Sequence, residues 1–175
     1  MKKRYLLLTY CTLILIVIFT GCSEEVNKGE QESPTFAIPV EFNDGIKGEY
    51  VLIGEEGKIG FQVGGGIGEE IEANPVIQGK GNKYMWYIWE QEDFKGTFKI
   101  VGTHENGEEH KILTKNAGTA SEEQVWEYSF DRISSNNNFI QFPSSMEFPI
   151  AGLWKLEVFM EEKLFSEIFV FVESE

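Results

Sequence analysis

The run from Gly152 to Met160 alternates strictly: Trp154, Leu156, Val158 and Met160 fall on one side, and Leu153, Lys155, Glu157 and Phe159 on the other. A period of two is that of a strand with two different faces. Glu161, Glu162 and Lys163 interrupt it with the length of a hairpin loop, and a second apolar run continues to Val172. The end of the chain therefore predicts two antiparallel strands that supply much of the core.

Similar short runs fill the chain upstream. Tyr50–Ile53 and Lys58–Val63 flank a glycine and glutamate turn at Gly54–Gly57, and Pro75–Gln78 is a short candidate strand. Lys83–Trp89 is the densest aromatic stretch, with Tyr84, Trp86 and Ile88 on one face and Met85, Tyr87 and Trp89 on the other. Gly96–Gly102 alternates, Glu105–Glu108 carries an Asn-Gly turn signal, and His110–Leu113 is placed to pair back. Thr114–Glu123 reads as a loop, Val125–Phe130 and Phe139–Phe142 as strands, and Pro143–Pro149 as a turn into the last hairpin. No helical period is sustained anywhere after Pro39. About seven or eight short strands with turns between them predict an all-β antiparallel β-sandwich, with a small antiparallel barrel as the other architecture.

The N-terminus is built differently. Lys2, Lys3 and Arg4 precede an apolar run from Tyr5 to Phe19 that is short beside the roughly 20 residues of a membrane-spanning helix, as in a secretory signal. Thr20 and Gly21 directly before Cys22 resemble the lipobox of bacterial lipoproteins, although Phe19 stands where leucine is usual. That resemblance implies acylation of Cys22 by a palmitate-type lipid and loss of residues 1–21. Residues 22–38 are polar and rich in glutamate, as expected of a flexible acidic tether, and residues 39–175 form the predicted sandwich. Cys11 would leave with the leader and Cys22 would carry lipid, so the domain has no thiol left for a disulfide, metal or nucleophile.

The formal charge is −14, and loss of Lys2, Lys3 and Arg4 makes it three units more negative. Such a chain is unsuited to nucleic acid and is not drawn to anionic headgroups, so its partnership with the membrane is expected to run through the covalent lipid. The implied location is the extracytoplasmic face of the cell membrane.

A tryptophan in a middle strand together with the Gly152–Val158 strand resembles an immunoglobulin-like sandwich without its disulfide. More closely, Asn82–Trp89, Gly96–Val101 and Pro149–Leu156 with Lys163–Phe165 resemble a family of Bacillus-type lipoproteins of unknown function. The likeness covers roughly Gly48 to Val172 and implies fold and location, but no reaction.

The search for chemistry is correspondingly thin. Aspartates are scattered and no calcium-loop spacing occurs. Glutamate pairs sit at turns, where they solvate an edge. Gly64–Gly68 lacks the lysine and the helix start of a phosphate loop and reads as a flexible loop. No serine lies in a nucleophile elbow, so no catalytic residues are expected. The two histidines, His104 and His110, flank the Asn106-Gly107 turn and are the candidate pair for a metal ion. The candidate interaction face is aromatic. If Trp154 and Trp86 point inward and the aromatic strand pairs beside the last hairpin, then Met85, Tyr87, Trp89, Phe159, Phe165, Phe169 and Phe171 share an outer surface. Its occupant is expected to be an envelope protein, a second copy of the chain or a small ligand, unless Phe36–Phe42 covers it.

Overall fold

The computed structural model describes residues 31–42, 45–68, 70–89, 93–136 and 139–175. The expected leader 1–21, the expected lipidation site Cys22 and most of the expected tether lie outside the described residues. Cys11 and Cys22 do as well, so no disulfide crosses the described fold.

The described residues form fourteen strands: β1 (Thr35–Glu41), β2 (Lys47–Glu55), β3 (Ile59–Ile67), β4 (Glu70–Ala73), β5 (Val76–Ile77), β6 (Asn82–Trp89) and β7 (Asp93–His104), then β8 (Glu109–His110), β9 (Leu113–Lys115), β10 (Glu123–Val125), β11 (Glu127–Asn136), β12 (Phe139–Met146), β13 (Gly152–Met160) and β14 (Lys163–Glu173). The surplus over the expected seven or eight includes β4 and β10, while β8 and β9 fall at the two ends of the expected His110–Leu113 run; these strands are two to four residues long and leave no periodic signature. β5 lies within the candidate strand Pro75–Gln78. β1 begins at Thr35, inside the stretch expected as tether.

The strands form an all-β sandwich. One sheet runs β1-β2-β3-β6-β12, with β4 beside β3 and the β9–β10 hairpin beside β12. The other holds β7, β13 and β14, with β8 on β7 and β5 lying parallel to β14. β11 joins the two, because it pairs with β7 from Glu127 to Ser134 and with β12 at Ser135 and Asn136, shifting register between Phe130 and Ile133. One pairing expected from the sequence is corrected here. The aromatic strand β6 pairs with β3 and β12, whereas the last hairpin pairs with β7.

Alternation decides what fills the space between the sheets. β13 buries every second residue, and Trp154, Leu156 and Val158 are fully enclosed. Trp86 meets Phe98 of the opposite sheet at 5.2 Å, and Phe98 meets Phe142 at 4.8 Å. Burying side chains of this size contributes about 1.5–3 kcal/mol each. Both core indoles keep their N–H satisfied: Trp86 donates to Ser144 Oγ at 2.8 Å and Trp154 to the Ile150 carbonyl at 2.9 Å.

Candidate functional site

With Trp86 turned inward, Met85, Tyr87 and Trp89 occupy the outer face of the first sheet. There they join aromatics from neighbouring strands. Trp89 lies 6.0 Å from Phe36 and 5.6 Å from Phe139, and Tyr87 lies 5.4 Å from Phe139 and 6.3 Å from Tyr50. Gly60 leaves room for the Phe36 ring, since a Cβ there would stand 2.9 Å from its tip. Leu52 and Tyr87 are buried on this outer side, where the Phe36 ring from the edge strand β1 reaches across toward Gly60 and Trp89. Burial, reinforced by the neighbouring Tyr50, pushes the Tyr87 phenol up to about 12. Its hydroxyl donates to Gln62 Oε1 at 3.3 Å.

Beside this layer the sheet forks. β3 pairs with β6 only from Ile59 to Phe61, and from Gly64 onward it pairs with β4 instead. The glycines make that exchange possible, because a Cβ on Gly64 or Gly66 would run into the backbone of Glu72 or Glu70. Gly64–Gly66, read from sequence as a flexible loop, is thus a strand interior where another backbone comes close.

Where the strands part there is a groove of about 1000 Å³. It is lined by Phe42 and Tyr50, by Gln62 and the glycine run, by Glu70 and Asn74, and by Asn82, Lys83 and Met85 of β6. The Phe42 and Tyr50 rings meet edge to face at 6.1 Å. Ile67, also in the lining, is 49% exposed. Of these residues sequence reasoning placed Met85 on a binding surface, took Gly64–Gly68 for a loop and Phe42 for part of a covering segment, and missed the rest. Their common signal is the unbroken glycine triplet next to a strand.

The remaining predicted face residues lie on the other sheet. Phe159, Phe165 and Phe169 are half-buried and Phe171 is 51% exposed on β13 and β14. Lys99 sits over the Phe159 ring and Lys58 over the Phe165 ring, at 5.3 and 5.8 Å. The seven aromatic and methionine positions are therefore divided between two sheets and form no single patch. The physical reason is the insertion of β7 beside β13, a pairing between distant parts of the chain that no local pattern encodes.

His104 and His110 both pack against Trp154, at 5.2 and 5.3 Å. His104 is buried. Its Nδ1 accepts the Asn106 N–H at 3.3 Å and its Nε2 donates to the Ala151 carbonyl at 3.0 Å, which leaves no lone pair for a metal in this arrangement. His110 Nε2 lies 3.7 Å from Glu108. Among the described residues no three His, Cys, Asp or Glu side chains converge as a metal site would require. Ser144, the hydrogen-bond partner of Trp86, is buried.

A family model described as a domain of unknown function (DUF4871) matches residues 24–170. Among curated proteins nothing matches. A crystal structure of a protein assigned as a lipoprotein from Bacillus anthracis is similar in fold, with a TM-score of 0.60 and 24% sequence identity, covering 89% of this chain and 95% of that one.

Proposed function

This chain belongs to the family described as a domain of unknown function, DUF4871, and on that premise we propose that it is a lipid-anchored module of the cell envelope that works by binding and carries out no catalysis. The anchor reading is supported by the leader and the Thr20-Gly21-Cys22 box, and by likeness in fold to a protein assigned as a lipoprotein. The binding reading rests on one observation above all, the groove where β3 and β6 part. It is concave, sits beside a layer of aromatic rings, and carries both apolar and polar side chains, the mix that ligand sites use.

Two measurements test this. Cys22→Ser in the full chain should abolish incorporation of labelled palmitate and release the protein from the membrane fraction. A photo-reactive amino acid at Met85 should give a discrete crosslinked product in intact cells, while the same probe at exposed Glu162 should give none. Equal labelling at both positions would remove the groove as the working surface.

A further inference from the structure

We propose that the ligand of the groove is an uncharged oligosaccharide, an inference that rests on the binding reading above. Three observations converge on it. The first is charge. A chain of formal charge −14 repels polyanions, so a phosphate-rich or acidic polymer is disfavoured and a neutral one is not. The second is the side-chain inventory. Phe42 and Tyr50 offer ring surface, against which the C–H face of a sugar ring packs, and Glu70, Asn74, Asn82 and Lys83 supply exposed donors and acceptors for its hydroxyls. No ion pair ties Glu70 or Lys83 among the described residues, so neither must give up an ionic partner to bind. The third is size, since a groove of about 1000 Å³ has room for more than one sugar ring.

An extended peptide adding as a strand fits less well. Trp89 donates its N–H to the Lys58 carbonyl at 2.9 Å, so by alternation Tyr87, Met85 and Lys83 turn the same backbone edge toward β3. The ladder with β3 ends at the Phe61–Trp86 pair. Met85 and Lys83 alone are left to present that edge, and strand addition draws its affinity from a longer row of main-chain hydrogen bonds.

The test uses the full chain in detergent, with linear oligomers of N-acetylglucosamine, glucose and mannose as probes. Lipoteichoic acid and an alternating Lys-Val peptide serve as competitors of other classes. Saturable binding to at least one uncharged oligomer is expected, weakened tenfold or more by Tyr50→Ala and by Glu70→Gln, and unchanged by Phe171→Ser. Lys83→Ala, at an exposed position, keeps the test valid if Tyr50→Ala unfolds the protein. Failure to bind any uncharged oligomer, preference for the acidic polymer or the peptide, or binding that these groove variants leave unaltered would each overturn the proposal. Specific crosslinking at Met85 without sugar binding would discard the sugar and keep the binding module, whereas loss of both results would discard both.

Discussion

The Phe169 N–H on the outer edge of β14 is bonded to the hydroxyl oxygen of Ser33 at 2.9 Å, and the Ser33 N–H is bonded in return to the Phe169 carbonyl at 2.8 Å. Glu32 caps the Phe171 N–H in the same way at 3.1 Å, and Pro34 accepts from Gly54 of β2 at 3.3 Å. The residues ahead of β1 thus act as a strap that closes the seam between the sheets and masks an edge otherwise open to pairing with another chain. Ser33→Ala should cost about 0.5–1.5 kcal/mol in urea unfolding. Amide exchange at Phe169 should quicken well before exchange at Trp154, and equal protection in both proteins would show that the strap does not hold.

Trp86 gives a stronger effect. Trp86→Phe keeps an aromatic ring but removes the N–H that Ser144 accepts and leaves a void. The expected loss is about 2–4 kcal/mol by denaturant titration, and Trp86→Phe combined with Ser144→Ala should recover part of it, since the hydroxyl then has no partner to miss.

Alkaline pH should weaken the fold through its tyrosines. Burial raises Tyr87 to about 12 and also raises Tyr84 and Tyr128. The unfolded chain ionises its tyrosines near 10, so above that pH it loses protons that the folded chain retains. Stability from these groups is complete below pH 10 and falls as pH rises toward 12, with about 2–3 kcal/mol from Tyr87 alone. Urea midpoints from pH 8 to 11, read beside phenolate absorbance, check this. Tyr87→Phe should flatten the decline.

Gly64→Ala and Gly66→Ala each push a methyl group into the β4 backbone. Both should destabilise by more than about 1 kcal/mol and loosen β4 first, visible as early amide exchange from Glu70 to Ala73. An unchanged β4 would mean that the fork has another cause.

Phe171→Ser, by contrast, should lie within about 0.5 kcal/mol of the parent, because half of that ring is already in water. Sedimentation of the two proteins side by side would also reveal any self-association through this face.

How much of this was legible in the sequence depended on distance along the chain. The β13–β14 hairpin, with its turn at Glu161 and Glu162, follows from alternation within twenty-odd residues, whereas the inward Trp86 was one of two registers, because both faces of Lys83–Trp89 are apolar. The pairing of β6 with β12 matches Trp86 to Phe142, far apart in sequence, and no local pattern selects that partner over β13. The groove escaped for a related reason. Glycine has no side chain to report a face, so a strand bent by Gly64–Gly66 looks from its sequence like a loop. The packing of His104 and His110 against Trp154 was not legible either, because their spacing across a turn carries no information about a residue far along the chain.

β1 runs beside β2 through seven successive partners, from Thr35 opposite Ile53 to Glu41 opposite Lys47. The strap enters at the Thr35 end, and Phe42, just beyond the other end, lines the groove. A tensile load applied at Gln31 and resisted by something gripped in the groove would travel the full length of that strand. It would act in longitudinal shear, so the rungs would have to yield together and not one after another. On the binding reading proposed above, the domain would be spliced like rope between its N-terminal segment and whatever the groove takes up.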